Sequence, residues 1–434
     1  MELTNLRLED VSPVRKRLQI EVAAGAVQAE IDRAFQRVGQ SAQLRGFRPG
    51  KAPRSVLERM FGDQIRREVL GHLVEESLHQ AIEQHRLAVV GTPDIDAETL
   101  NPGDPLRFSA TVDVRPEVVV GDLSGLAAER PAVAVDDAEV DRVLEGLRES
   151  VAQLAPIEDR AVVEAGDVVS VDLTSRLDGG EPAHREGVLL EAGSGSFPLA
   201  LERQIVGQHR GARLSLEVPY PADYPSPNLA GKTAKFEVEV KDLRTKVLPS
   251  LDDDFARDHG RAESLAQFRD RVRSDLEQRS ADRAEAHVRE AVIDQLLARH
   301  AFDVPPSLVE RRGDAMLSSL DVRLPEGPAG QEALERLRAE VRPRAERAVR
   351  ADLLLDAIAA QEGIVVDEAA IDAEIDGVAR REAQSPERVR AFYQRPEARA
   401  ALRARMVRES ALTHVLGLAK IVPVVAGKEV AHEN

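Results

Sequence analysis

The scarcity of aromatic side chains is the feature that most constrains how this chain of 434 residues can build a core. Only 3% of the residues are aromatic, with ten Phe, three Tyr and no Trp, although 43% are hydrophobic. Aromatic side chains usually supply much of the buried area in large cores. Leu, Val, Ile and Ala must supply it here, which favours helices packed in long, thin layers over one large globule.

Length, cysteine content and charge exclude several classes of protein. At about 150 residues per domain, the length predicts about three domains. The absence of Cys excludes disulfide scaffolds, thiol nucleophiles and Cys-ligated zinc. The N-terminal residues lack the pattern of a signal peptide and no apolar run is long enough to span a membrane, so we expect a soluble, cytoplasmic protein without a membrane partner. A formal net charge of −17 argues against general wrapping of nucleic acid but leaves room for a local basic patch.

Residues 1–115 are predicted to form a mixed α/β domain. Arg17–Val22 and Leu106–Val114 alternate polar and apolar residues, which indicates two half-buried strands. Pro116 ends the second strand, and we place a domain boundary there. Between the strands, apolar residues at helical spacing predict two helices, with Val27, Ile31, Ala34, Phe35 and Val38 in the first and Ile65, Val69, Leu73, Leu78 and Ile82 in the second.

The middle of the chain contains two segments with different sequence patterns. Residues 116–159 are predicted to be a linker arm without a core of its own, with a helix capped by Asp136 or Asp137. Residues 160–248 carry alternating segments typical of strands, which are Asp167–Thr174, Leu214–Val218 and Lys235–Val240. The proline-rich stretch 219–228 cannot be a central strand, so we expect an excursion over one end of the sheet. This pattern predicts a small, strongly curved antiparallel β domain.

Residues 249–434 are predicted to be almost entirely helical and elongated. Helical spacing runs from Ser264 to Leu297, and Pro305-Pro306 then interrupts the chain. Ser307 is a candidate cap for the next helix, and Asp367 is a candidate cap for the helices that continue through Leu418. No heptad pattern is sustained, which disfavours a long coiled coil. The fold class is therefore multidomain α+β, with an α/β domain, a curved antiparallel sheet and an all-α C-terminal region.

Residue patterns for catalysis or metal binding are absent. Gly193-Ser194-Gly195 lacks the third glycine and the following helix of a dinucleotide site. His72 and Glu76 resemble part of a zinc-binding helix, but the second histidine is missing, and His79 alone does not complete the three or four ligands that zinc needs. We therefore expect a solvated helix there, with no metal and no cofactor.

The loop from Gly46 to Pro53 combines an aromatic side chain with several cations. Phe47 lies among Arg45, Arg48, Lys51 and Arg54, in a segment whose shape is restricted by two Gly and two Pro. One interpretation is a docking tip, in which the cations meet phosphate or carboxylate and Phe47 fills a pocket. The other is a turn between helices with Phe47 packed into the core. Composition alone slightly favours the turn.

The motif in this loop resembles a signature of the bacterial trigger factor family. Gly46-Phe47-Arg48-Pro49-Gly50-Lys51-Ala52-Pro53 matches the family's ribosome-docking pattern Gly-Phe-Arg-x-Gly-x-x-Pro. The order of domains supports the resemblance, as do the segments Asn228–Phe236, Leu248-Pro249 and Asp254–Ala256. The resemblance implies that the ribosome-binding residues are Arg45, Gly46, Phe47, Arg48, Gly50, Lys51 and Pro53.

The resemblance also implies partners. These are the large ribosomal subunit near the exit tunnel, contacted through a tunnel-rim protein and ribosomal RNA, and the nascent and unfolded polypeptides that the helical region would shelter. Family members form homodimers off the ribosome. Pro49 stands where many of them have Lys, so we expect weaker docking or a greater reliance on Arg45 and Lys51. Two alternatives are a free-standing prolyl isomerase whose helical region recruits clients, and an interaction scaffold.

The β domain resembles an FKBP-type peptidyl-prolyl isomerase. Amide resonance sets the uncatalysed barrier at about 18–20 kcal/mol, and a dry aromatic pocket lowers it by binding the twisted imide. The resemblance places the pocket at Leu173, Phe197, Leu201, Tyr224 and Phe236. Leu173, Pro182 and Leu201 occupy positions where the family usually has aromatic residues. We therefore expect weak or lost isomerase activity and a domain that serves mainly as an additional binding surface.

Overall fold

The computed structural model describes residues 3–41, 47, 53–98, 100–101, 103–177, 182–194, 203–220, 231–260, 262–320, 324, 327–381 and 385–424. The chain divides into two compact units. One comprises Met1–Pro131 and Glu285–Val425, and the other comprises Ala132–Ala284 and Ala426–Asn434.

The first unit begins with a four-stranded antiparallel sheet and two helices. Its elements are β1 (Leu3–Ser12), β2 (Arg15–Val22), α1 (Ala24–Ser41), α2 (Arg54–His85), β3 (Val89–Ala97) and β4 (Leu106–Val114). The strand order is β1-β2-β4-β3. A short strand, β5 (Ala127–Arg130), follows. The structure confirms the two predicted strands, which are β2 and β4, and the two predicted helices.

The apolar face of the sheet and the apolar stripes of the two helices pack together in one core. Every second residue of β2 and β4 is buried, which places Leu18, Ile20 and Phe108 on one face of the sheet. The apolar stripes of α1 and α2 cover that face with Ile31, Phe35, Ile65, Val69 and Leu73. Burying this aliphatic surface is what holds the two helices on the sheet.

The second unit contains an antiparallel sheet flanked by helices. Its elements are α3 (Asp137–Ser150), β6 (Gln153–Pro156), β7 (Val168–Leu177), β8 (Ala183–Glu191), β9 (Arg213–Pro219), β10 (Thr233–Val247), α4 (Asp253–Gly260) and the start of α5 (Leu265–Arg299). The long strand β10 pairs with β6, β7 and β9, and its register with β7 shifts between Val240 and Asp242. Such bulges increase local twist, which agrees with the predicted curved sheet.

The predicted cap of α3 is confirmed. The Asp136 carboxylate accepts a hydrogen bond of 2.7 Å from the backbone N–H of Glu139, which satisfies one of the unpaired donors of the first turn. Val140 and Leu144 on this helix are fully buried. They belong to a small apolar cluster that includes Phe255 of α4 and Phe268 of α5, so the stripe of α3 is covered by these two helices.

The first unit continues with the C-terminal helices. These are the later part of α5, α6 (Pro306–Ser318), α7 (Pro328–Gln361), α8 (Glu368–Arg381), α9 (Pro386–Tyr393) and α10 (Pro396–Leu418). Buried Leu, Ile, Val and Ala residues of α5, α7 and α10 form one cluster with Leu123 and Leu126. The last strand, β11 (Lys420–Pro423), pairs in parallel with β5.

One of the two predicted caps in this region is correct. The Asp367 carboxylate accepts a hydrogen bond of 2.7 Å from the backbone N–H of Ala370, as expected. The expectation for Ser307 is wrong, because α6 already begins at Pro306. Proline suits the first helical position, since its φ is preset and it has no N–H to satisfy. Ser307 is therefore inside the first turn, where its polar groups make other contacts.

Candidate functional site

The loop predicted to dock connects two helix ends that the core holds together. Gly39, near the end of α1, lies against the start of α2: a Cβ added there would be 3.1 Å from Leu57 Cδ1. Leu57 is itself buried in the core of the sheet and helices. The end of α1 and the start of α2 are therefore held close together by the core.

Arg54 is used inside this domain. Its guanidinium carbon lies 4.1 Å from the ring centroid of Phe35, in the geometry of a cation–π contact, and its Nη1 lies 2.8 Å from Asp32 Oδ1. Arg54 remains exposed while it makes these contacts, so its place among the cations around Phe47 stays a prediction. It is the first residue of α2, and its side chain contacts α1 and so joins the two helices at the base of the loop.

Phe47 is exposed. Its exposed fraction is 40%, whereas Phe35 and Phe108 of the same domain are exposed by 3% and 5%. The interpretation of a turn with Phe47 packed into the core is therefore not supported. Pro53 is also exposed and immediately precedes α2, with φ −62° and ψ 147°. The other five predicted docking residues, Arg45, Gly46, Arg48, Gly50 and Lys51, lie outside the described residues.

Two of the predicted isomerase residues lie on one face of the second sheet. Leu173 on β7 pairs with Val238 on β10, and Phe236 lies two residues before Val238, so the three side chains share a face. Leu173 and Phe236 are both buried. The buried cluster around them is otherwise aliphatic in the described part of the chain, with Tyr220 partly buried against it. Among the described residues of this cluster, Phe236 is the one buried aromatic side chain, and the depleted pocket stays a prediction.

The remaining predicted pocket residues, Phe197, Leu201 and Tyr224, lie outside the described residues. Pro182, at a position where family members usually have an aromatic residue, is exposed just before β8. It does not belong to the buried cluster of this sheet.

A buried carboxylate braces the segment that leads into β7. Asp167 accepts hydrogen bonds from both terminal nitrogens of Arg160, at 2.6 and 2.5 Å, and one of 2.7 Å from the backbone N–H of Glu164. Burial acts to raise the pKa of Asp167, but these hydrogen bonds and the Arg160 charge outweigh it, and the pKa lies below its ordinary value. No local sequence pattern predicts this pair, and its role is structural.

A second buried carboxylate lies where the first sheet meets α6. Asp113 on β4 accepts a hydrogen bond of 2.8 Å from Arg15 Nε and another of 2.8 Å from the backbone N–H of Ser307. Burial acts to raise the pKa of Asp113, but these bonds and the Arg15 charge lower it below its ordinary value. The Ser307 hydroxyl donates to the carbonyl oxygen of Val90 at 3.2 Å. These bonds tie the N-terminal sheet to the C-terminal helices within the first unit.

Gly91 makes this contact possible. Its φ is +77°, and an added Cβ would lie 2.5 Å from both Cβ and Oγ of Ser307. We expect Gly91→Ala to lower the free energy of unfolding by about 2–4 kcal/mol, from left-handed strain and the clash together. Urea denaturation measures the loss. Gly103→Ala is the matched control, because Gly103 has φ +88° with open space around its Cβ position. Equal losses in the two variants would contradict the proposed contact.

Several large apolar side chains of the helical region are at least half exposed. They lie at or beyond helix ends, outside the buried stripes: Leu320, Val365, Phe392 and Leu418. Helical periodicity identifies the buried stripe and gives no information about residues past its end, so it does not predict that these side chains are exposed. Such side chains can make weak contacts with apolar segments of an unfolded polypeptide.

Two histidines of α2 lie within 4 Å of a carboxylate one helical turn further along the chain. His72 Nδ1 lies 3.9 Å from Glu76 Oε2, and His79 Nε2 lies 3.8 Å from Glu83 Oε1. In the described part of the chain, no three His, Asp or Glu side chains are arranged to hold a metal ion. Among the described residues, no helix combines the length and apolar character that a membrane span requires.

Comparisons with known proteins assign the three regions. Residues 4–147 match the family model of the bacterial trigger factor protein, residues 158–241 match the FKBP-type peptidyl-prolyl cis-trans isomerase, and residues 264–417 match the bacterial trigger factor C-terminus. The trigger factor of Geobacter sulfurreducens is 34% identical over 421 residues, covering 95% of this chain and 98% of the relative. That of Moorella thermoacetica is 38% identical over 387 residues, covering 86% of each chain.

The similarity to solved structures is weaker than the similarity to the sequence relatives. A structure described as showing promiscuous substrate recognition by the trigger factor chaperone has a TM-score of 0.45 and 21% identity, covering 95% of this chain and 99% of that chain. The assignment therefore rests on the family models and the sequence relatives.

An α/β domain, an FKBP-type curved sheet and a helical C-terminal region, in this order, define a multidomain chaperone that carries an isomerase domain. The chain belongs to the bacterial trigger factor family. It is accordingly a ribosome-associated chaperone that binds nascent polypeptides. A free-standing isomerase is not favoured, because trigger factor models match the chain on both sides of the FKBP-type domain.

Proposed function

We propose that the loop between α1 and α2 is the ribosome-docking element. Phe47 fills a pocket on the ribosome, Arg45, Arg48 and Lys51 contact phosphate or carboxylate groups, and Gly46, Gly50 and Pro53 set the shape of the loop. The observation that carries this proposal is the exposure of Phe47, at 40%, in a domain where Phe35 and Phe108 are buried and Phe61 packs partly buried against the core. An exposed aromatic side chain beside cations is the composition of a binding hot spot.

The proposed partners are a tunnel-rim protein and the adjacent ribosomal RNA of the large subunit. RNA phosphates suit Arg and Lys, and the aromatic ring suits an apolar pocket on the protein. A chain with net charge −17 is repelled by RNA as a whole, so the attraction has to be local. Pro49 supplies no charge at the tip, which increases the contribution of Arg45 and Lys51.

Salt dependence tests this electrostatic contribution. The Debye length falls from about 10 Å at 0.1 M salt to about 3 Å at 1 M. We expect the fraction of protein that sediments with ribosomes to fall severalfold between about 0.1 and 0.5 M KCl at constant Mg²⁺, because the cation contacts are screened. As a control, the sedimentation of the ribosomal subunits in the same runs must show that they stay intact at each salt concentration. Co-sedimentation that does not change with salt would show that the cations do not contribute to docking.

The helical region is proposed to shelter unfolded polypeptides in the cytoplasm. Its exposed apolar side chains give weak contacts, and its many Arg–carboxylate pairs keep it hydrated. Off the ribosome we propose a homodimer, as the family resemblance implies. We divide the chain functionally into residues 1–115 for docking, 116–159 as the linker arm, 160–248 as the isomerase domain and 249–434 as the chaperone region.

The isomerase domain is proposed to retain little activity. Leu173 belongs to an aliphatic cluster in which the buried aromatic residue, among those described, is Phe236. An aliphatic wall lacks the ring contacts with which an FKBP-type pocket grips a twisted prolyl bond. The domain would then act mainly as a further binding surface for clients.

A further inference from the structure

The docking loop is too small to form a stable contact with the ribosome alone. It comprises residues 46–53, which is eight residues. A stable protein interface buries about 800 Å² of each partner and uses about 20–30 residues from each side. Surface beside the loop must therefore contribute to docking, and the two helices that the loop connects, α1 and α2, supply the nearest surface.

Helix α1 offers little to a partner. The structure describes this helix throughout, and none of its large apolar side chains is exposed. Its two arginines, Arg33 and Arg37, both approach the carboxylate of Glu30, with N–O distances of 2.9 and 3.6 Å. The positive charge at this side of the loop is therefore shared with an acidic group of the same helix, and α2 is the better candidate.

The start of α2 presents an apolar side chain and a cation to solvent. Leu57 and Ile65 of this helix are buried in the core. Because successive residues advance by about 100° around a helix, Arg59 and Met60 lie outside the stripe that faces the core, and both are exposed. Met60 is 59% exposed, compared with 40% for Phe47. Arg59 has no ion pair or side-chain hydrogen bond with any described residue.

Met60 lies close to the docking loop along the helix. It is six residues beyond Arg54, where α2 begins, which corresponds to about 9 Å along the helix axis. Arg54 is held against the ring of Phe35, so the first turn of α2 has a fixed place at the base of the loop. The exposed part of α2 is therefore continuous with the loop, and a partner that receives Phe47 can extend over it.

The chemistry of this part of α2 suits a protein partner better than RNA. The unbranched thioether side chain of Met60 adapts to irregular apolar surfaces, and its burial removes apolar area from water. Arg59 can bind a carboxylate through two parallel hydrogen bonds. Glu58 and Asp63 are exposed on the same turns of the helix, and their charges would repel RNA phosphates.

We propose that Met60 is a second apolar anchor for the ribosome, packed on an apolar surface of the ribosomal protein that the docking loop meets. Arg59 binds a carboxylate of the same protein. The inference rests on the proposed docking function and extends its contact surface to α2. It also makes docking sensitive to oxidation: hydrogen peroxide transfers one oxygen atom to Sδ of Met60 and leaves as water, and the sulfoxide that forms is polar.

The affinity of the full-length protein for purified ribosomes tests the anchor. Met60→Ala should raise the Kd about tenfold in a co-sedimentation titration, because an apolar contact is lost. Met60→Leu should bind like the wild-type protein, since it keeps an apolar side chain of similar volume. Leu418→Ala is the matched control, because it removes an apolar side chain that is 52% exposed at the end of α10. An unchanged Kd for Met60→Ala would overturn the proposal, and the urea midpoint of each variant reports folding.

Oxidation gives an independent readout. Among the described methionines Met60 is exposed, whereas Met316 and Met406 are half-buried. The protein is treated with hydrogen peroxide, separated from it and mixed with untreated ribosomes, so that only its own methionines change. We expect the Kd of the wild-type protein to rise at least about fivefold, while Met60→Leu treated in the same way should bind as before. Equal weakening of both proteins would overturn the role of Met60 in oxidation sensitivity.

Cross-linking and the loop variant complete the test. A photoreactive benzophenone amino acid introduced at position 60 should cross-link to a ribosomal protein, and cross-linking to ribosomal RNA instead would overturn the assigned partner. If Phe47→Ala, Arg48→Ala, Lys51→Ala loses docking while Met60→Ala does not, this inference fails and the docking loop stands. If neither variant weakens docking, the proposed docking element itself is wrong.

Discussion

The variant Phe47→Ala, Arg48→Ala, Lys51→Ala is expected to lose co-sedimentation with ribosomes. Exposed aromatic and arginine side chains dominate the binding energy of many interfaces, at about 2–4 kcal/mol for each strong contact. Removing one aromatic and two cationic contacts together should weaken the complex by more than about 100-fold, which is about 2.7 kcal/mol. Pelleting through a sucrose cushion at low salt, followed by quantification of the bound protein, measures the effect.

A matched variant distinguishes docking from a general loss of surface charge. Phe392→Ala, Arg380→Ala, Arg388→Ala also removes one exposed aromatic ring and two exposed cations, but from α8 and α9. It should pellet like the wild-type protein. Pro49→Lys adds a cation to the loop and should strengthen binding. Normal pelleting of the Phe47 variant would exclude the loop as the docking element.

Strands with one buried face were predictable from the sequence. β2, β4, β9 and the first half of β10 alternate over most of their length, because each has one face on an apolar core and the other towards solvent or polar side chains. The two helices of the first domain were predictable for the equivalent reason, since their stripes cover the sheet.

Strands that depend on distant partners were not predictable. β3 contains Gly91 and Pro93, and its register with β4 shifts between Val90 and Asp94, so pairing with β4 defines it as a strand. β5 and β11 have four residues each and pair with one another although Ala127 and Lys420 are separated by about two thirds of the chain. Local periodicity carries no information on such pairings.

The candidate sites also contain some features that the local sequence predicts and others that depend on packing. Phe47 could be singled out because its neighbours in the sequence are unusual. The contact of Arg54 with Phe35 could not be predicted, because it depends on how α1 and α2 pack.

The prolyl isomerase activity of this chain is expected to be about 100-fold below that of a family member with a complete aromatic pocket. An aromatic pair contributes about 0.5–1.5 kcal/mol beyond its buried area, and three usual aromatic positions hold Leu173, Pro182 and Leu201. A loss of about 2.7 kcal/mol of transition-state stabilisation corresponds to that factor in kcat/KM. A protease-coupled assay with a proline tetrapeptide, run on both full-length proteins, measures it.

Adding an aromatic ring tests the cause of the low activity. Leu201→Phe should raise kcat/KM severalfold, because it restores one ring to the segment that matches the pocket floor. Leu173 is a poorer choice for enlargement, since it is buried in the aliphatic cluster and a larger side chain there costs about 1–3 kcal/mol of stability. Leu320→Phe places the same substitution at an exposed position of the helical region and should change nothing. A wild-type rate close to that of the aromatic relative would show that an aliphatic pocket suffices for catalysis.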